Sequence, residues 1–380
     1  MTTRFPHLRA AIVQQPWAIM PDRLEAIAEV IERRVEGIRL SPEEIAGIKG
    51  ERRPNGVATL FDANTLQAAD MSAASSSGSA PAASVIAVIS FFGIVAQHAS
   101  QVDDISGPGG TSTERVANSY RAAKADPSVK AIVINFDSPG GNVSGVQALA
   151  DEIFNGRGEK PVVAQVNSLC ASAAYWVASS CDEIVMTPGA MAGSIGVYTL
   201  HQDMSKAVDA AGLKFTFISK GKYKVEGNSL EPLSEEAAQA SQSQVDAYYS
   251  DFVSAVARGR GVSTDDVVGG FGEGRVVKDK QAVKAGMADR VDTLDGTIRR
   301  LASAKKSSSA KAETVGQAEM GAAHEAADAG IDVGAEGMAG TEVEDDADVA
   351  DSAGEIGASL SDSDAFRRRR HAHRLRSGHA

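Results

Sequence analysis

The chain has 380 residues and a formal net charge of −12 at pH 7, so it lacks the basic surface that a general nucleic-acid binder needs. Its length suffices for one large domain with appendages or for two domains. The two cysteines, Cys170 and Cys181, exclude a disulfide framework and favour a reducing compartment such as the cytoplasm. The most apolar run, Ala82–Ala96, is too short to cross a bilayer and indicates a buried strand of a soluble protein.

Residues 1–71 are expected to form a helical N-terminal leader. Apolar side chains recur at helical spacing over Leu24–Val35, and Ser41 with the following Pro-Glu-Glu is typical of a helix start. Residues 72–84 consist almost wholly of Ser, Ala and Gly, which bury too little apolar surface to fold. We therefore expect a flexible linker between the leader and the rest of the chain.

Residues 85–302 are expected to be the folded core, because β-branched runs alternate there with helical patterns. The predicted strands are Val85–Ile89, Val129–Phe136, Val162–Val166, Ile184–Met186 and Lys214–Ile218, and the predicted helices span 114–124, 143–154, 172–179 and 234–258. Strands that alternate with helices imply parallel β-α crossovers and therefore an α/β fold.

Residues 303–380 are rich in Ala, Gly, Asp and Glu and end in a basic cluster at Arg367–Arg370. With almost no aromatic residues, this stretch is expected to be disordered in isolation. An acidic stretch with a basic end is typical of an interaction tail.

Two motifs suggest chemistry at the ends of predicted strands. Asp137-Ser-Pro-Gly-Gly141 follows one strand, and its Pro-Gly-Gly can expose N–H groups at a helix N-terminus as half of an oxyanion hole. Ser172 follows another strand among small residues that let a substrate carbonyl approach, and the Ala173 N–H could complete the hole. A tight turn and a closely packed helix start explain the same two patterns without chemistry.

A serine nucleophile needs a base. Lys222 and Lys224 follow the strand predicted at Lys214–Ile218 and are candidates, although most lysines are solvated surface charges. His201 is a rival base, or else the cap of a helix that begins near Gln202. Cys170 is a weaker rival nucleophile, since no positive group is close in sequence and buried cysteines usually serve packing.

From about Val85 to Gly296, the chain resembles the signal peptide peptidase A family of Ser-Lys peptidases. The resemblance lies in the order and spacing of several motifs, which are Asp137-Ser-Pro-Gly-Gly141, Ala171-Ser-Ala-Ala-Tyr175, Gly193-Ser-Ile-Gly-Val197, Gly221-Lys-Tyr-Lys224, Arg258-Gly-Arg260, Gly274-Arg-Val276, Ala285-Gly-Met287 and Val291-Asp292. By this resemblance Ser172 is the nucleophile and Lys224 the general base. The supporting residues that it implies are Gly141 and Ala173 as oxyanion donors, Gly140 beside them, and Ser194 as a hydroxyl near the lysine amine.

The N-terminal Pro16-Trp-Ala-Ile19, followed by the Leu24–Val35 helix, resembles the leader of the phage head-maturation subgroup, the lambda-type capsid-assembly proteases. In that subgroup a C-terminal extension acts as internal scaffold, which agrees in character with residues 303–380. The Arg367–Arg376 cluster is a candidate handle for coat or portal subunits, or simply for acidic surfaces. Trp17 itself is interpreted as a core or interface residue.

The resemblance implies a crotonase- and Clp-protease-like spiral of ββα units and a serine endopeptidase that needs no cofactor or metal. It further implies a homo-oligomer in which neighbours help shape the cleft, acting in the host cytoplasm or inside a prohead, with no membrane or specific nucleic-acid partner. The expected substrate is phage scaffold or the chain itself, with Ser72–Ser84 and Ala302–Ala312 as self-cleavage candidates. The alternatives are a non-catalytic capsid component, a bacterial cytoplasmic signal-peptide-type peptidase, and a crotonase-like acyl-CoA enzyme that needs no Ser-Lys pair.

Overall fold

The computed structural model of the protein describes residues 16–21, 55–62, 65, 67–68, 85–98 and 110–304. The predicted Leu24–Val35 helix, the helix start at Ser41, the linker at 72–84 and the tail from Lys305 onward lie outside the described residues. Within the described ranges, no helix combines the length and the apolar character that a membrane span requires.

Strands and helices alternate along most of the described chain. The strands are β1 (Trp17–Ile19), β2 (Ala58–Asp62), β3 (Val85–Phe92), β4 (Ile94–Ala96), β5 (Gly110–Ser112), β6 (Val129–Ser138), β7 (Gly140–Asn142), β8 (Val162–Ala171), β9 (Glu183–Met186), β10 (Met191–Gly193), β11 (Val276–Lys278) and β12 (Arg290–Val291). The helices are α1 (Thr113–Ala125), α2 (Val146–Asn155), α3 (Ala173–Ser179), α4 (Ser205–Ala210), α5 (Glu235–Arg260), α6 (Thr264–Gly270), α7 (Asp279–Ala285) and α8 (Leu294–Ser303).

The main sheet has the strand order β11-β10-β8-β6-β3-β2, with β9 beside β8 and β12 beside β9. Its central strands β3, β6, β8 and β10 are parallel, and antiparallel pairs stand only at its two ends, β2 with β3 and β10 with β11. The predicted α/β fold class is therefore confirmed. A second, smaller sheet has the order β1-β7-β4-β5.

Helices cover both faces of the main sheet, because its central strands are apolar on both sides. One face packs on α1, α2, α3 and α5, and the rings of Trp176 and Phe252 stack there at 4.8 Å between centroids. The other face packs on α8 through a smaller cluster that contains Val133, Val163 and Leu301. The helix that carries Ser172 at its start thus lies between the sheet and the long helix α5.

Two local predictions are wrong. Residues 213–219 form no regular secondary structure, although the alternation in Lys214–Ile218 favours a strand. Ile218 is 98% exposed, and none of the strands among the described residues pairs with this segment. The helix expected near Gln202 begins at Ser205 with Met204 as its N-cap residue, so His201 does not cap it.

A buried ion pair ties the end of α5 to the segment before β12. Arg260 Nη1 lies 3.0 Å from Asp289 Oδ2, and the two side chains are only 2% and 3% exposed. The Arg260 Nε also donates to the Gly286 carbonyl at 3.1 Å, and Asp289 accepts from the Ile184 N–H at 2.9 Å. Removal of either partner leaves a charge in the core without compensation.

We predict that Arg260→Leu lowers the free energy of unfolding by about 3–5 kcal/mol, because Asp289 stays buried without its partner. The matched control is Arg258→Leu on the same helix, whose ion pair with Asp151 is 40% exposed on both sides and contributes about 1 kcal/mol or less. Urea unfolding followed by circular dichroism measures both. Equal losses for the two variants would contradict the assignment of Arg260 as the stabilising partner.

Candidate active site

Ser172 occupies a sharp turn between a strand and a helix. Strand β8 ends at Ala171, helix α3 starts at Ala173, and Ser172 between them has φ 56° and ψ −120°. A non-glycine residue held at positive φ is strained, and such turns present a nucleophile at the top of an α/β sheet. The turn is fixed on both sides, since the Ser172 N–H donates to Gly193 O at 2.7 Å and the Trp176 N–H donates to Ser172 O at 3.0 Å.

Gly140 lies directly against this turn. It has φ 96°, and a Cβ at this position would stand 2.9 Å from Ser172 Cβ and 2.2 Å from the carbonyl oxygen of Ala18. The next residue, Gly141, has no room for a side chain either, because its Cβ would stand 2.1 Å from Val95 O. Both glycines are thus required by the close approach of other main-chain segments.

The motif at Asp137–Gly141 was predicted to open a helix, and this prediction is wrong. Residues 140–142 form the short strand β7, and the next helix begins only at Val146. The N–H of Gly141 therefore belongs to a strand beside Ser172 instead of a helix N-terminus. The Ala173 N–H, by contrast, is at the start of α3, where the first N–H groups have no acceptor within the helix.

The segment Gly193–Gly196 lines the other side of the turn. The Ser172 Oγ donates to the Gly196 carbonyl at 3.3 Å, a long and weak contact. Ser194 is buried with φ 54°, and its N–H donates to Arg275 O at 2.8 Å. The structure thus brings Ser172, Gly140 and the Ser194 segment together.

Among the described residues, Lys224 forms no hydrogen bond with the other predicted site residues. It is exposed, it lies in a turn closed by its N–H on Gly221 O at 3.2 Å, and no hydrogen bond between its amine and Ser172 is described. Its neighbour Lys222 is bound to Glu236 in the first turn of α5 at 2.7 Å. The hydrogen bond that Lys222 donates to Glu236 raises the pKa of the Lys222 amine, which keeps that amine protonated.

The length of helix α5 shows how far the Lys222–Glu236 pair lies from the packing beside α3. Phe252 packs on Trp176, one turn from Ser172, whereas Glu236 holds the lysine segment at the other end of the helix. The helical rise places Glu236 about 24 Å along the axis from Phe252. The lysine segment therefore contacts α5 far along the helix from the part that packs beside α3.

Neither rival residue forms an alternative site. The Nε2 atom of His201 is buried without a hydrogen-bond partner, and no contact with Ser172 is described. Cys170 is fully buried, and burial raises the pKa of its thiol well above the ordinary range, so it does not form the thiolate that attacks carbonyls. Among the described residues, no cluster of His, Cys, Asp and Glu could hold a metal ion.

Arg157 supports the site and was missed by the sequence analysis. Its guanidinium donates to the carbonyls of Ser179, Ser180, Cys181 and Gly259, at 3.0, 2.9 and 3.2 Å for the first, second and fourth of these. It therefore supplies hydrogen-bond donors to the carbonyl groups at the end of α3 and links that helix to α5. Burial lowers the pKa of the Arg157 guanidinium. The only local signal is its position directly after α2, which does not reveal partners more than twenty residues away.

We predict that both cysteines resist alkylation in the native protein, because burial raises the pKa of Cys181 to about 12 and raises that of Cys170 well above its usual range. Iodoacetamide at pH 8 should leave the intact mass unchanged, and unfolding in urea should add two labels. Rapid labelling of Cys170 in the folded protein would reopen the case for a cysteine nucleophile.

A serine at a strained strand-to-helix turn, against a glycine strand, is a geometry typical of serine hydrolases on an α/β sheet. Residues 156–308 match the family model described as Peptidase family S49, so the chain carries a peptidase family S49 domain. The resemblance to the signal peptide peptidase A family and to its phage subgroup is confirmed by the relatives that follow.

The chain is 34% identical over 199 residues to the head-tail preconnector protein GP5 of Enterobacteria phage P21, covering 52% of this chain and 39% of that protein. It is 32% identical over 204 residues to the capsid assembly protease C of Escherichia phage lambda, covering 51% and 46%. It is 29% identical over 194 residues to the chloroplastic serine protease SPPA of Arabidopsis thaliana, covering 51% and 28%. The matches thus span less than half the length of each of these relatives.

Proposed function

We propose that the protein is a serine endopeptidase that acts in the assembly of a phage or prophage head and cuts scaffold or copies of itself. The observation that carries this proposal is Ser172, held at positive φ against the glycine strand β7. The phage context is supported by the two phage relatives, one of which is named a capsid assembly protease. Coat or portal subunits are the proposed partners of the tail, and the host cytoplasm or the prohead interior is the proposed location.

In the proposed mechanism the Lys224 amine removes the proton from Ser172 Oγ as that oxygen attacks a peptide carbonyl. The N–H groups of Gly141 and Ala173 stabilise the negative oxygen that forms. The tetrahedral intermediate then expels the amine of the leaving peptide, which takes the proton from Lys224. Water hydrolyses the remaining ester on Ser172 by the same sequence of proton transfers.

We propose that Lys224 reaches Ser172 from a second copy of the chain. The distance along α5 supports this, because the lysine segment contacts the helix far from the part that packs beside α3. The same segment exposes large apolar side chains, among them Leu213, Phe215 and Ile218. Clustered exposed apolar residues mark surfaces that are covered by a partner, and a homo-oligomer supplies one.

The dyad is tested with Ser172→Ala and Lys224→Ala, each expected to abolish cleavage of an Ala-rich peptide. Co-expression of the two variants should restore up to about a quarter of the wild-type activity, because mixed assemblies pair an intact Ser172 with an intact Lys224 at some interfaces. Lys222→Ala is the matched control and should retain activity. Intact mass spectrometry of substrate and enzyme reads out every combination.

If co-expression of the two variants restores cleavage, the result supports a site shared between two chains. If both single variants are inactive and co-expression restores nothing, the base lies in the same chain as Ser172. If wild type and both variants are equally inactive, the protein is instead a capsid component that keeps the fold without the chemistry. If Lys224→Ala cleaves normally, the lysine is not the base.

The pH dependence is a separate prediction. A lysine accepts a proton only as the free amine, so activity should rise from neutral to alkaline pH. Initial rates of peptide cleavage between pH 6.5 and 9.5 measure this, alongside circular dichroism to show that the fold persists. A flat profile over that range would contradict a lysine base.

A further inference from the structure

Strand β1 lies directly at the proposed active site, although it comes from the far N-terminal end of the described chain. It pairs antiparallel with β7, so that Trp17 faces Asn142, Ala18 faces Gly141 and Ile19 faces Gly140. On its other side, the Trp17 N–H donates to Tyr198 O at 2.8 Å and the Tyr198 N–H donates to Trp17 O at 3.0 Å. The segment therefore fills a groove between β7 and the chain that follows Gly196.

The hydrogen-bond alternation of antiparallel strands gives the register at this groove. Because Trp17 turns its N–H and C=O to Tyr198, Ala18 turns both of its groups to Gly141. The bond from the Met20 N–H to Pro139 O at 3.0 Å, two residues further along, agrees with this register. The carbonyl of Ala18 thus faces the Gly141 N–H, the donor proposed for the oxyanion.

The same carbonyl lies close to the nucleophile. The Cβ position built on Gly140 is 2.2 Å from Ala18 O and 2.9 Å from Ser172 Cβ, so one small space adjoins both residues. Ser172 is only 1% exposed while the strand is in place, and all three strand residues are buried. A peptide to be cut would have to present its carbonyl at this position.

We propose that Trp17–Ile19 is an internal inhibitor, a resident strand that occupies the substrate groove with Ala18 in the place of the residue before the cut bond. A substrate chain then binds by displacing this strand and pairing antiparallel with β7 in its stead. The groove favours a small residue at the cut, since Ala18 is fully buried and its carbonyl lies beside Gly140. This inference rests on the proposed function in one respect, the role of Ser172 as the nucleophile. The presence of Trp17–Ile19 in the groove does not depend on that function.

The occupancy is tested by binding, without any turnover. A fluorescein-labelled peptide with the sequence of residues 16–21 is titrated against full-length Ser172→Ala and the Trp17→Ala/Ser172→Ala double variant. We expect the double variant to bind about tenfold more tightly, because apparent affinity scales with the fraction of molecules whose groove is open. A peptide of scrambled sequence and the Trp17→Phe/Ser172→Ala variant are the controls, the latter expected to behave like Ser172→Ala alone.

Access to the nucleophile is tested with a small fluorophosphonate, which forms a P–O bond with Ser172 Oγ and releases fluoride. The labelling rate of Trp17→Ala should exceed that of wild type by about tenfold for the same reason, and Ser172→Ala reports the background. If Trp17→Ala fails to fold by circular dichroism, Ile19→Ala replaces it in both measurements.

The outcomes of these measurements separate the proposal of an internal inhibitor from the proposal that Ser172 is the nucleophile. Equal peptide binding with and without Trp17 overturns the internal inhibitor, as does slower labelling in the Trp17 variant, which would make β1 a permanent wall of the site. Tighter peptide binding without any labelling of Ser172 keeps the resident strand and overturns the serine nucleophile.

Discussion

Main chain meets main chain at Gly140 and Gly141 with no side chain between, and the geometry of the site depends on this contact. One glycine leaves room for the Ser172 turn and for Ala18, and the other leaves room for Val95. Because β7 belongs to the small sheet while β8 belongs to the large one, the two glycines set how closely the sheets meet. A methyl group at Gly140 would force the Ser172 turn away from β7, and one at Gly141 would force β4 away from it.

The rest of the described chain divides into a rigid support and an exposed projection. The turn at Ser172 is held by Arg157 on the α3 carbonyls and by the stack of Trp176 on Phe252, and buried contacts of this kind change little on binding. The lysine segment, in contrast, is exposed and carries a surface ion pair of Lys222 with Glu236 in the first turn of α5. This division is compatible with the proposal that the Ser172 turn and the lysine of one active site come from two different copies of the chain.

Much of the fold could be predicted because local patterns determined it. The β-branched runs of β3, β6 and β8 and the small residues at Ser172 carry strong local signals. The failures lie where the outcome depended on distant partners: Lys214–Ile218 alternates like a strand but has no strand to pair with. Strand β1 was not predicted at all, since three residues hold too little pattern to reveal a partner more than 120 residues away.

The last described helix shows where the tail is attached. Lys130, at the beginning of β6, donates to the Ala302 carbonyl at 2.6 Å, so the chain leaves α8 at the amino edge of the parallel strands. Ser172 follows the carboxyl end of β8, which is a strand length of about 33 Å away. The two ends of the sheet therefore differ, since one carries the groove at Ser172 and the other carries the contact of α8 with β6. A partner that binds beside Ala302 would lie a strand length from the groove and would leave it uncovered.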